Sequence, residues 1–376
     1  MTSSRTAWHV VEAPNAASLD DAEAWAYHGI AAVSEACQQD LFGHADLAQN
    51  ARGVLVGMDN QQYTTKHRFV AVRDPASGDG VHPGASDVVG HAFIAMPEAS
   101  NRHLAEIHVA VDPAHRGQGI GSALLASAEE VVAAAGRTQV IGEPMFAAEA
   151  PEGMDALTPS NGSGRVPADL PTTRFATRHG FALAQVSRKS VLDLPVDAAR
   201  LARFEDESRA AAGPDFRLHT WQDEIPEEWL DGLAVLETRM TTDAPHGDLD
   251  VDEDVWDADR VRTFSEMQKR NRNGYLITAV EHVPSGALAG HSMLLYPLED
   301  GPFAFQEDTI VLREHRGHRL GMLLKAVNLA ELARVRPSTE RIHTFNAEEN
   351  QHMLAINVAL GFRPAGGAAA YQRSLA

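Results

Sequence analysis

The chain contains the stretch Val111-Asp-Pro-Ala-His-Arg-Gly-Gln-Gly-Ile-Gly121 and, 200 residues further on, Val311-Leu-Arg-Glu-His-Arg-Gly-His-Arg-Leu-Gly321. Each follows an apolar, strand-like run and opens an amphipathic helix. In the first, Ile120, Ala123, Leu124 and Ala128 fall at helical spacing; in the second, Leu320, Leu323, Leu324 and Val327 do so more regularly. A repeat distance of one domain length predicts two related domains in tandem.

The flanks repeat as well. Strands are predicted at 69–72, 88–96 and 104–111, then at 139–141, with a turn-rich segment at 75–86, a Pro/Gly/Ser-rich surface insertion at 149–171, a short helix to His179 and a closing strand to about Leu194. The second half gives 275–281, 287–295, 303–311 and 341–345, a helix from Asn350, and a last strand near Tyr371. A connecting helix over 196–212 places the domains at 1–195 and 214–376, with 196–213 as linker. The expected fold class is α/β (α+β), each domain a mixed, mostly antiparallel sheet flanked by helices.

A total of 376 residues, 44% of them hydrophobic, suffices for two cores. No apolar run is long enough to span a bilayer, and the first eight residues lack a secretion signal, so the expected location is cytoplasmic. The formal charge of −20 opposes binding to nucleic acid or anionic membrane; it either welcomes a cationic small molecule as partner or simply keeps the protein soluble. Cys37, the single cysteine, reads as a buried small residue, and His103, His108 and His115 lack metal-ligand spacing, so no metal is expected. A monomer or homodimer is expected.

A strand that stops in a glycine-rich turn and continues as a helix gathers backbone N–H groups into a concavity suited to phosphate oxygens. Glycine permits close approach and positive φ. Arg116 and Arg316 each add a full charge beside the helix end. A dinucleotide fold would place such glycines after its first strand, and a Walker loop needs Gly-Lys-Ser/Thr; neither pattern is present.

On these residues the sequence resembles the GNAT acetyltransferase superfamily, over most of residues 65–192. Its acyl-CoA pyrophosphate loop, Arg/Gln-x-x-Gly-x-Gly/Ala, matches Arg116-Gly117-Gln118-Gly119-Ile120-Gly121, with Ser122 next in line; Val111-Asp112-Pro113 and Gly180-Phe181 fit as well. The second copy, Arg316-Gly317-His318-Arg319-Leu320-Gly321, carries Arg319 where the family has glycine, which questions its loop shape. The resemblance implies acetyl-CoA as cofactor, with the pantetheine arm along Val109, Ala110 and Val111 and along Thr309, Ile310 and Val311. It implies an asparagine on the same arm, for which only the second domain offers Asn346 and Asn350; Asn350 reads equally as a helix cap. The family's proton-donating tyrosine is replaced by Ala176 and Asn357.

Acyl transfer to a lysine-like amine at pH 7 requires a deprotonation costing about 4.6 kcal/mol, which a general base must cover. Glu106 shares a strand face with His108; alternation puts Gln306 and Asp308 on the matching face of the second domain and Glu307 opposite. The candidate bases are therefore Asp308, Glu307 and Glu106. The segment 240–254, with Asp243, Asp248, Asp250, Asp252, Glu253 and Asp254, reads either as an acidic wall for a cationic acceptor or as a solvated loop capping the next helix. The leading expectation is an acyl-CoA-dependent N-acyltransferase acting on a small amine by direct attack. The rivals are a noncatalytic acyl-CoA sensor or scaffold and a protein-lysine acetyltransferase.

Overall fold

The computed structural model describes residues 8–74, 83–299 and 301–375. Part of the turn-rich segment expected at 75–86 and nearly all of the N-terminal stretch read for a secretion signal lie outside the described residues. The chain divides into two compact units, one of Met1–Pro144, Phe175–Ala182 and Ala370–Ala376, the other of Met145–Arg174 and Leu183–Ala369.

In chain order the first half gives β1 (Trp8–Glu12), α1 (Trp25–Phe42), α2 (Ala51–Asp59), β2 (Thr64–Arg73), β3 (Val88–Pro97), β4 (Leu104–Val111), α3 (Ile120–Ala134) and β5 (Gln139–Gly142). There follow the short β6 (Met145–Phe146), β7 (Ala156–Leu157) and β8 (Val166–Pro167), then α4 (Pro171–Arg178), β9 (Ala182–Asp193) and α5 (Ala198–Ala212). The second half gives β10 (Phe216–Gln222), α6 (Leu230–Asp243), α7 (Ala258–Arg270), β11 (Asn273–His282), β12 (Ala287–Pro297), β13 (Phe303–Val311), α8 (Leu320–Val335), β14 (Arg341–Ala347), α9 (Gln351–Leu360) and β15 (Arg363–Ser374).

Each unit repeats one sheet plan. β1 to β4 form an antiparallel meander, and β5 then joins β4 in parallel. Likewise β10 to β13 form a meander and β14 joins β13 in parallel. Both faces of these sheets are covered, which explains the nearly continuous apolar runs. In the first unit, Ile120, Leu124 and Ala128 of α3 pack on Ile94, Ala105 and Val140, while Tyr27, Ile30 and Val33 of α1 pack on Val70, Val72 and Val88. In the second, Leu323 and Leu324 of α8 meet Val280 and Ala289, and Leu233 and Leu236 of α6 meet Ile277, Ala279 and Met293.

The closing strands are exchanged relative to the sequence expectation. Tyr371–Ser374 of β15 pair antiparallel with β5 in the first unit, and the C-terminal part of β9 pairs with β14 in the second, from Ser187↔Ala347 to Asp193↔Arg341. The compact units therefore do not coincide with 1–195 and 214–376. Register between strands remote in sequence decides which strand closes which sheet, and chain order carries no record of it. The insertion also packs with the second unit, where Met145 and Phe146 pair with Ala368 and Gly367.

Candidate active site

Both glycine-rich turns have the same geometry. Past β4, a short 3-10 turn (Pro113–His115) is capped by the Asp112 carboxylate, which accepts from the Ala114 N–H at 2.8 Å. Gly117 (φ +77°) and Gly119 (φ +89°) are left-handed, and α3 starts at Ile120. Past β13, Gly317 (φ +87°) and Arg319 (φ +57°) take the same two positions, and α8 starts at Leu320. Arg319 thus preserves the loop shape that its side chain called into question, at the strain cost of a left-handed non-glycine residue. A side chain on Gly117 or Gly317 would meet nothing within 4 Å, so the turns open onto free space suited to a diphosphate.

The loop side chains are largely committed elsewhere. Ile120 and Leu320 are buried and anchor the helix starts. Gly121 and Gly321 let Phe175 and Ile356 pack on the helix backbone, at 3.3 and 3.2 Å from a hypothetical Cβ. Ser122 Oγ lies 3.0 Å from His179 Nε2, and His318 stacks near Phe216. Arg116 donates from Nε to the Val111 carbonyl at 3.2 Å and pairs with Asp40 at 2.7 Å; Arg316 donates to the Val311 carbonyl at 3.1 Å and pairs with Asp243 at 3.0 Å. The arginines expected on phosphate fasten the turn to the strand end instead. Cys37 is half-buried rather than buried; its thiol donates to the same Val111 carbonyl at 3.4 Å, and burial pushes it up.

Beyond their first three paired residues the parallel strands diverge. β4 pairs with β5 from Leu104 to Glu106, and β13 with β14 from Phe303 to Phe305. The strand edges at Val109, Ala110 and Val111 and at Thr309, Ile310 and Val311 lie past these pairings. The second unit adds a β-bulge. Ser292 pairs with Thr309 but Leu294 with Gln306, so three steps along β13 oppose two along β12; β4 has no such irregularity against β3. This extra residue breaks the alternation assumed from sequence. Gln306 turns inward, its amide donating to Ser292 Oγ at 3.1 Å and the Met293 carbonyl at 2.7 Å, while Glu307 and Asp308 both line a cavity of about 140 Å3 with Thr309, Lys325, Asn346 and Asn350.

This cavity carries perturbed acids. Burial, then the charge of Glu237, pushes Asp308 up to about 6, with His291 acting in the opposite sense. Glu307 is pushed up to about 7, first by burial and then by Asp308 and Glu237. Its side chain nevertheless keeps contact with water, so Asp308 is the better enclosed of the two. Behind them the buried His291 and Glu237 stand 3.2 Å apart, an ion pair whose alignment is too poor for a directed hydrogen bond. Burial alone would lower the His291 imidazolium; the Glu237 carboxylate outweighs it and raises it. In the first unit Glu106 and His108 are exposed and 4.0 Å apart.

Asn346 accepts a 2.6 Å hydrogen bond from the Asn357 amide, so the residue standing where the family has tyrosine orients the candidate arm-binding asparagine. Asn350 Oδ1 caps α9 by accepting from the Met353 N–H at 3.2 Å. Much of the acidic stretch is spent internally: Asp243 holds Arg313 and Arg316, Asp248 holds Ser160, and Asp254 holds Arg260. The expected wall for a cationic acceptor is thus mainly a braced loop, and Asp257 caps α7 behind it by accepting from the Arg260 N–H. Sequence reasoning missed His291, Glu237 and Lys325. Lys325 left a visible signal, a lone cation within Leu-Gly-Met-Leu-Leu-Lys-Ala-Val at the position where the first copy has Leu125.

These features define a tandem GNAT fold, and residues 45–142 match the Acetyltransferase (GNAT) family. Among solved structures, a tandem GNAT protein from the clavulanic acid biosynthesis pathway, determined without AcCoA, superposes with a TM-score of 0.70 at 23% identity, covering 98% of each chain. A GCN5-related N-acetyltransferase from Sphaerobacter thermophilus gives 0.57 at 14% identity, covering 98% of this chain and 95% of that one. The glucosamine N-acetyltransferase region of a fungal multi-domain GH3 β-N-acetylglucosaminidase gives 0.56 at 13% identity, covering 98% of this chain and 38% of that one. No curated protein sequence matches the chain. No helix among the described residues is long and apolar enough to cross a membrane.

Proposed function

We propose that the protein is an acyl-CoA-dependent N-acyltransferase that transfers acetyl from acetyl-CoA to an amine of a small molecule, with the chemistry in the second unit. The observation carrying this reading is the second unit's combination of a phosphate-sized turn, diverging parallel strands and a cavity edged by raised-pKa acids. The residues fit the cofactor: the left-handed turns leave room that a Cβ at Gly317 would enter, and the helix end supplies partial positive charge.

Acetyl-CoA supplies an activated thioester carbonyl. The backbone around Gly317, His318 and Arg319 holds its diphosphate, and Thr309 to Val311 with Asn346 orient its arm. Asp308, aided by Glu307, takes the surplus proton from the attacking amine; a carboxyl poised near 6 is ionised at neutral pH yet basic enough to accept it. Holding two reactants in register supplies effective molarities of order 10⁵ M or more, so few catalytic side chains suffice. The carboxylate cluster favours a cationic acceptor more than the braced loop does, and the name of the fungal neighbour makes amino sugars a sensible part of the acceptor panel.

The first unit, with no bulge and with Glu106 and His108 open to solvent, supports a second role for that half, binding of the acyl donor without turnover. Mass spectrometry of an amine panel incubated with acetyl-CoA tests the main reading. Acyl products are expected with the wild type and far less with Asp308→Asn; no product across a broad panel, with cofactor bound, would leave the noncatalytic role or a protein acceptor.

A further inference from the structure

Lys325 is 1% exposed, on the face of α8 that looks into the diverging strands. Among the described residues no hydrogen bond or ion pair reaches its ammonium; its recorded contact is the face of Phe362, with Nζ 5.8 Å from the ring centroid. Burial pushes it down to about 7. Maintaining an unpaired buried cation is costly, and a folded chain ordinarily pairs or replaces it. The first unit does replace it: Leu125 occupies the matching helix position and is buried. The amine lines the same cavity as Glu307, Asp308 and Asn346. The other titratable lining group is His343 from β14; α9 and α6 contribute the uncharged Asn350, Met353 and Met240.

We propose that Lys325 faces the sulfur of the acyl donor in the second unit and protonates it as it departs. This rests on the acyl-CoA reading above and deepens it. The acceptor nitrogen forms the C–N bond while the C–S bond breaks, and its electron pair passes to sulfur. A proton from Lys325 Nζ converts the thiolate to the free thiol. The surplus proton of the acceptor nitrogen goes to Asp308, and Lys325 is reprotonated from solvent. The proposal gives the second unit a proton donor although Asn357 holds the tyrosine position. It also accounts for a charge in one helix where its repeat carries leucine.

The test uses the full chain and free coenzyme A, whose bound thiol is titrated by thiolate ultraviolet absorbance. Free coenzyme A in the same buffer gives the ordinary value, and a cation against the sulfur lowers it. In the wild type, part of the bound thiol is expected to titrate at least about one unit lower. In Lys325→Leu and Lys325→Met that fraction returns to the ordinary value with coenzyme A still bound. If bound thiol titrates normally in the wild type, the proposal is overturned without recourse to any variant; if the low value persists in folded Lys325→Leu, the donor is another group. Failure of coenzyme A to bind at all, measured by calorimetry, would instead remove the acyl-CoA reading on which the proposal stands.

Discussion

Arg316 donates from Nε to the carbonyl of Val311 at 3.1 Å, closing the glycine-rich turn back onto the strand that feeds it. Arg116 does the same to Val111, so the chain has kept this clasp in both repeats while changing what holds the other end of the guanidinium. The two anchors differ in environment. Asp243 is only 9% exposed at its side chain and binds both Arg313 and Arg316, whereas Asp40 is 48% exposed and binds Arg116 alone.

Solvent screening makes the exposed pair worth little, and enclosure makes the other worth more. Asp40→Ala is expected to lower the unfolding free energy by less than about 1 kcal/mol, and Asp243→Ala by about 1–3 kcal/mol. Urea denaturation of both variants checks the ordering; equal losses would contradict it.

The left-handed turn positions predict unequal effects for two substitutions. Gly317→Ala places a Cβ in open space but at φ +87°, which costs about 1–2 kcal/mol and intrudes on the proposed phosphate cradle. Arg319→Gly relieves the same kind of strain at φ +57°; against it stand the greater freedom of glycine in the unfolded chain and the loss of an exposed pair with Glu207. Its stability should change by less than about 1 kcal/mol. Thermal melts report the stabilities, and calorimetry with coenzyme A should show weakened binding for Gly317→Ala.

The buried His291–Glu237 pair predicts a pH-dependent stability. The raised imidazolium contributes fully below the unfolded value of about 6.5 and is lost as pH climbs through the higher folded value. Glu237→Gln should therefore cost most near pH 6, about 3 kcal/mol, and progressively less as the solution becomes alkaline. A penalty that stays constant from pH 6 to pH 9 would rule out the ion pair as its source.

If Asp308 is the general base, kcat/KM rises as pH passes through about 6, the value to which burial and Glu237 push it. Asp308→Asn is expected to lower kcat/KM by about 10²–10⁴-fold, and Glu307→Gln by less because its side chain keeps contact with water. Rate profiles with an accepted amine decide this; a larger loss for Glu307→Gln would reverse the assignment.

The glycine turns, the helices they open and the three strands before each turn, β2 to β4 and β11 to β13, were legible in the sequence because each is written locally, in turn residues and periodicity; the first strand of each meander, β1 and β10, was not. The bulge beside Glu307 and Asp308 was not, since it exists only as a mismatch between β12 and β13; simple alternation put Glu307 on the opposite face from Asp308, whereas both line the cavity. Closure of the sheets by β9 and β15 depends on pairings between distant strands, beyond the reach of local pattern. Lys325 was readable as an oddity in an apolar helix, but only the cavity beside it gives the oddity a chemical meaning.

Because Tyr371–Ser374 pair with Gln139–Gly142, the ribosome exposes the first unit's meander long before it supplies the strand that pairs with β5. A cut through α5 would yield two fragments, each carrying a strand that pairs with the other's sheet. Any attempt to produce the halves separately must therefore transplant those strands, or co-express the pieces and let them reassemble.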